Sequence, residues 1–270
     1  MNRPLIESLL SKALKNHEKQ NFSEAEKLYE NALEEDPNHI ICLNYYGTML
    51  AQTNRKKRAE QLFLKAVQLQ PNNPYVNNNL GNIYYEYGDY IKAISYYEAA
   101  TLLKPDFVNP NLNLGIIFNN RDNLNKALEH LKRVIQIQPS NIKCYAIIAT
   151  IYKKQRNFKS ALESYQKIFE IDPENLLANT GVVDLFSTSL VKNLTKNNSD
   201  ELIKIFTFLY KKNSINHNLL FNNVKKVLFF EEDYIEIENF LKNDLSFLSE
   251  HLVISILKKE LFHLVLQKSL

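Results

Sequence analysis

Five prolines, Pro37, Pro71, Pro105, Pro139 and Pro173, follow one another at intervals of 34 residues, and this strict step constrains the chain more than any other feature. Self-similarity at such a period is the signature of stacked supersecondary units. Twelve residues before each proline stands an alanine (Ala25, Ala59, Ala93, Ala127, Ala161). Twenty-four before it stands a small residue (Ala13, Gly47, Gly81, Gly115, Ala149). Eight before it stands an aromatic or leucine (Tyr29, Phe63, Tyr97, Leu131, Tyr165). Within each unit, apolar residues recur at three- and four-residue spacing, as on one helix face. In the third unit these are Leu80, Ile83, Tyr84 and Tyr87, then Ala93, Tyr96, Tyr97 and Ala100. Small residues let two helices approach, and the aromatic fills the gap beside them. Gly88-Asp89 makes the turn between the two helices and caps the second. The proline cannot continue that helix and biases the residue before it away from helical geometry. Each hairpin is apolar on two faces, so it must stack on neighbours.

The clearest unit, Leu80-Gly81-Asn82-Ile83-Tyr84 with Gly88-Asp89-Tyr90, Ala93, Tyr97, Ala100 and Pro105, resembles the tetratricopeptide repeat (TPR) family in its bacterial form. The expected fold is all-α: a solenoid of five helix hairpins (6–39, 40–73, 74–107, 108–141, 142–175), closed by a capping helix over 176–190. Register is lost after Pro173, where Val183 replaces the small residue and Thr195 the alanine. A polar stretch follows at 192–199, and a separate helical region is expected over 199–270. Its last helix, 246–270, is apolar at ten of the fifteen residues from Leu252 to Leu266. Such a face packs within the region or contacts a partner or a second copy. The region is loosely similar in hydrophobic pattern to the segment before the catalytic domain of some bacterial TPR-linked methyltransferases.

Composition narrows the function. The chain holds 33 basic and 30 acidic residues, a net charge of +3, which offers no field of one sign for nucleic acid. The five glycines, Gly47, Gly81, Gly88, Gly115 and Gly181, lie too far apart for a glycine-rich phosphate loop. No window is apolar over 18 residues, so no membrane span is expected. The first twenty residues lack the apolar core of a signal peptide. Cys42 and Cys144 have no pairing framework and read as reduced, buried thiols, consistent with a cytoplasmic location. The six histidines form no ligand motif, and the acidic runs 34–36 and 231–233 read as solvated faces. We therefore expect no enzyme activity, cofactor or metal. Two details break the pattern. Lys12 stands where later repeats carry Tyr46, Leu80, Leu114 and Ile148, which suits a terminal repeat. The run Arg55-Lys56-Lys57-Arg58 opens a helix whose dipole disfavours cations; it reads as a solvated turn or as a phosphate or localisation patch.

In TPR proteins the first helix of each repeat lines the inner groove. The resemblance maps Tyr75, Asn78, Asn79, Asn82, Tyr85 and Glu86 there in repeat 3, and Asn109, Leu112, Asn113, Ile116, Asn119 and Asn120 in repeat 4. Seven of these twelve are asparagine, whereas 34 asparagines in 270 residues predict about 1.5. Repeat 2 adds Asn44 and repeat 5 adds none, giving eight in 24 against three. An amide offers donors and an acceptor without charge, which suits a peptide backbone whatever its side chains. Asn79 and Asn113 are one repeat apart and resemble the asparagine ladder of the O-GlcNAc transferase repeat arm. The TPR device for a chaperone's C-terminal carboxylate is incomplete. Asn82, Asn113 and Lys143 match it, but Asn78 and Ile147 stand where cations are required, so a chaperone-tail receptor is not expected. The expected role is a non-catalytic scaffold that holds an extended peptide or protein segment through Asn44, Asn78, Asn79, Asn82, Tyr85, Asn109, Asn113, Asn119 and Lys143. The alternative is the substrate-recruiting arm of a glycosyl- or methyltransferase whose catalytic part lies elsewhere.

Overall fold

A computed structural model describes residues 3–185. The end of the expected capping helix (186–190), the C-terminal region 199–270 and its helix 246–270 lie outside the described residues. The described part is an all-α helical-repeat solenoid, with eleven helices and no strand among the described residues. These are α1 (Arg3–Glu18), α2 (Phe22–Glu35), α3 (Ile40–Gln52), α4 (Lys56–Leu69), α5 (Pro74–Glu86), α6 (Tyr90–Leu103), α7 (Val108–Asn120), α8 (Leu124–Ile137), α9 (Ile142–Lys154), α10 (Phe158–Ile171) and α11 (Leu176–Leu185). The chain divides into two compact units, Met1–Cys144 and Tyr145–Leu270.

Chain chemistry sets the helix ends. The residues before the prolines, Asp36, Gln70, Lys104, Gln138 and Asp172, have left the helical region, with φ between −126° and −140° and ψ between 82° and 94°. A helical residue there would clash with the proline ring. Side chains cap the starts: Asn73 accepts from the backbone N–H of Tyr75 and Val76, with Pro74 at the first helical position. Asp89, Asn123 and Asn157 each cap the second helix of their repeat in the same way. The turn inside each repeat passes through one left-handed residue, again at a 34-residue step: Gln20, Asn54, Gly88, Asp122 and Arg156. Only one of the five is glycine.

In the first unit the alanines Ala13, Ala25, Ala59, Ala66, Ala93, Ala100 and Ala127 are fully buried, as are Tyr29, Phe63, Tyr97 and Leu131. The two sets interlock. A Cβ placed on Gly81 would stand 2.5 Å from the Tyr97 ring, and one on Gly115 2.6 Å from Leu131. The ring occupies the space that the missing side chain leaves. Backbones of successive first helices (α1, α3, α5, α7) approach one another, and successive second helices do so less closely. The first helices therefore form the inner side of this unit. The two cysteines are buried and free, at equivalent repeat positions. Each thiol donates to a carbonyl thirteen residues back, Cys42 to Tyr29 and Cys144 to Leu131.

Candidate functional site

The inner amides of the first unit meet across helices. Asn79 Nδ2 on α5 donates to Asn44 Oδ1 on α3 at 2.9 Å and to Thr48 Oγ1 at 3.3 Å. One repeat further, Asn113 Nδ2 on α7 donates to Asn82 Oδ1 on α5 at 3.2 Å and to the Tyr97 hydroxyl at 3.0 Å. Tyr97 in turn donates to Asn82 Oδ1 at 2.7 Å. Burial pushes the Tyr97 phenol well above its ordinary range, so it keeps the proton it donates. The wedge that fills the glycine gap thus also anchors the second rung.

These rungs change what the amides can offer. The Nδ2 of Asn79 and that of Asn113 each donate to two acceptors inside the protein. Within the two rungs, the amide groups without a partner among the described residues are Asn44 Nδ2, Asn82 Nδ2 and Asn113 Oδ1. The later asparagine always donates to the earlier one, so both rungs point the same way. Asn78 is buried at 5% exposure; its Nδ2 donates to Asn79 Oδ1 at 3.4 Å, and its own Oδ1 is buried with no partner among the described residues. Tyr85 is half-buried, its ring edge-on to Tyr90 at 5.6 Å. Asn119 is half-buried near the end of α7. Asn109 and Lys143 are exposed in the first turns of α7 and α9 and join neither rung.

Two further asparagines escape a reading based on groove positions. Asn77 and Asn111 are buried to 3% and 0% exposure. Asn77 Nδ2 donates to the carbonyls of Pro71 and Asn73 at 2.9 and 2.8 Å. Asn111 Nδ2 donates to those of Pro105 and Phe107 at 3.1 and 2.9 Å. They tie the turn between repeats to the helix that follows it. Their 34-residue separation is the one sequence signal that marks them. His130, buried and stacked on Phe118, lies with Nδ1 3.0 Å from Asn111 Oδ1. Burial, chiefly, holds its imidazole below the usual range, and Lys126 and Arg133 act in the same direction against an opposing pull from Glu129.

The basic run at the start of α4 is largely consumed within the protein. Arg55 Nη1 lies 2.6 Å from the Glu26 carboxylate, Arg58 bonds Glu26 and Glu30 at 3.2 Å, and Lys56 reaches Glu86 at 2.8 Å. The Tyr46 hydroxyl accepts from Arg58 at 2.9 Å and shares its proton between Glu26 and Glu30. Burial raises the Glu26 carboxyl, but the bonds from Arg55 and Tyr46 and the two guanidinium charges outweigh it and leave it below the usual range. These carboxylates offset the unfavourable dipole at the helix start. Burial pushes both cysteine thiols up to about 12, which makes them poor nucleophiles. Among the described residues there is no cluster of three or more metal-ligating side chains and no helix long and apolar enough to cross a membrane.

Tetratricopeptide-repeat models match residues 18–74, 62–95 and 142–175. These matches support the tetratricopeptide repeat family. Solved structures agree on the fold. A MamA protein structure is 21% identical, covers 63% of this chain and 93% of its own, and superposes with a TM-score of 0.56. YrrB is also 21% identical, with 64% and 90% covered and a TM-score of 0.56. MamA from Desulfovibrio magneticus RS-1, from residue 41 onward, is 19% identical, with 64% and 97% covered and a TM-score of 0.57. No curated protein matches the chain.

Proposed function

We propose that the chain is a non-catalytic scaffold whose inner side, over α3, α5 and α7, holds an extended peptide or protein segment by its backbone. One observation carries this: two amide rungs of the same sense leave accessible valences of both kinds, donors on Asn44 and Asn82 and an acceptor on Asn113. Pairing inside the rung fixes the amides before a ligand arrives, which lowers the ordering cost of binding. Helices stack at about 10 Å, and an extended chain advances about 3.3 Å per residue, so successive rungs grip roughly every third residue. Tyr85, Asn109 and Asn119 border this track, and Lys143 stands beyond it. YrrB is a TPR protein with an unusual peptide-binding site, and the likeness of fold makes a peptide a reasonable occupant here too. Two buried, free thiols fit a reducing, cytoplasmic setting.

The test is titration of a peptide selected against the full chain, with wild type and Asn79→Ala/Asn113→Ala compared. We expect affinity to fall by about tenfold, the order of one to two lost hydrogen bonds, with the helical circular-dichroism signal retained. Unchanged affinity rejects the reading.

A further inference from the structure

Three of the four inner helices of the first unit are almost without charge, α1 being the exception. Helices α3, α5 and α7 have thirteen residues each. At the chain-wide charged fraction of 23%, about nine of these 39 residues should be charged. One is, Glu86, at the end of α5, and Lys56 pairs with it at 2.8 Å. The second helices are ordinary by comparison: α4 alone carries Lys56, Lys57, Arg58, Glu60 and Lys65. Burial explains part of the difference, because 19 of the 39 are buried, but of the seven exposed residues only Glu86 is charged. The other solvent-facing positions on α3, α5 and α7 are filled by Ile41, Tyr45 and Tyr75, exposed at 55%, 40% and 49%, and by the amides Gln52, Asn109 and Asn120. A solvated helix face normally carries charged side chains. At the rim, Lys104 is already engaged. Its Nζ donates to the Tyr75 hydroxyl at 3.1 Å and lies over the Tyr75 and Phe107 rings at 5.1 and 5.4 Å.

A face of this kind discriminates by what it lacks. A charged side chain laid along the track gives up water and finds no unpaired counter-charge on α3, α5 or α7, Glu86 being held by Lys56 and Lys104 standing at the rim over Tyr75, a cost that grows as the contact becomes dry. Neutral side chains incur no such penalty, and exposed rings give them apolar area to cover. Resting on the groove reading above, we infer that the face over α3, α5 and α7 selects an uncharged extended segment bearing apolar or aromatic side chains, with Ile41, Tyr45 and Tyr75 receiving those side chains. Its affinity is then nearly independent of salt, because no ion pairs form and no long-range field steers encounter.

The experiment selects binders to the full chain from a random, charge-balanced displayed library of about twelve residues, long enough to span three repeats at an extended rise. We expect selected peptides with net charge near zero and enriched aromatic and aliphatic residues. Their affinity should change less than twofold between about 50 and 500 mM NaCl. One central Asp or Lys placed in the tightest peptide should weaken it about tenfold, and Tyr75→Lys should shift selection toward acidic sequences. Charged, salt-sensitive peptides that still depend on Asn79 and Asn113 overturn the neutrality and leave the groove standing. Peptides indifferent to Asn79→Ala/Asn113→Ala overturn the groove reading itself. A library that yields no binder overturns both.

Discussion

Repeat 1 joins repeat 2 through a charged cluster, whereas the inner sides of repeats 2, 3 and 4 join through amides, accompanied between repeats 2 and 3 by the Lys56–Glu86 ion pair. At the first seam, two glutamates of α2 meet Arg55, Arg58 and the Tyr46 hydroxyl, with Tyr46 stacked on Tyr29 at 5.5 Å. At the later seams, Asn44, Thr48 and Asn79, then Asn82, Asn113 and Tyr97, are bonded without a formal charge. The same interlocked alanines and rings lie beneath both. The backbone period thus sets where helices meet, and it leaves the polar chemistry of each seam free to differ. That freedom lets one part of the inner side be neutral while the chain as a whole keeps 63 charged residues.

The largest expected effect tests the shared layer. Tyr97→Ala empties the space beside Gly81 and removes the phenol that anchors the second rung, so it should cost about 4 kcal/mol. Urea denaturation measures this, and a loss below about 1 kcal/mol would show that the ring is not the wedge. The second separates the seams. Arg55→Ala leaves a partly buried carboxylate short of one partner and should cost about 1 kcal/mol near neutral pH. Glu26 is held below its ordinary value, so its contribution is complete above the unfolded value and is lost as pH falls through the folded one. Thermal melts should therefore show the difference between wild type and variant at pH 7 and a progressively smaller one as pH falls below about 4. The smallest is Asn113→Ala, which removes neutral bonds only. It should cost at most about 1 kcal/mol by the same urea measurement, equally at pH 7 and pH 4 and at low and high salt. A salt-dependent loss would erase the contrast between the seams.

Much of the fold is legible because it repeats. The proline step, the alanine pair and the ring against the small residue each state a contact that any five-fold stack must make. The turn is less legible. Gly88 announces a left-handed residue, but Gln20, Asn54, Asp122 and Arg156 adopt the same conformation with no glycine to signal it. They do so because the helices on either side are already docked, and the packing outweighs the small cost of positive φ. Groove asparagines are legible as a set and illegible one by one. Asn77 and Asn79 are identical in chemistry and two residues apart, yet one stitches a turn and the other bridges two helices. Helical rotation alone separates those fates, and residues two apart on a helix face different ways. The basic run was ambiguous for a related reason: its partners Glu26, Glu30 and Glu86 lie 28 to 32 residues away in sequence.

Sequence alone determined the all-α repeat, its 34-residue step, the places where helices stop and the near absence of charge from α3, α5 and α7. These are local or periodic properties, written in each unit and needing no knowledge of its neighbours. Only the tertiary structure decided which amides are spent and which remain. Hydrogen bonds between side chains of adjacent repeats depend on the distance and rotation between helices, and those follow from how a ring such as Tyr97 settles against a glycine in the same hairpin.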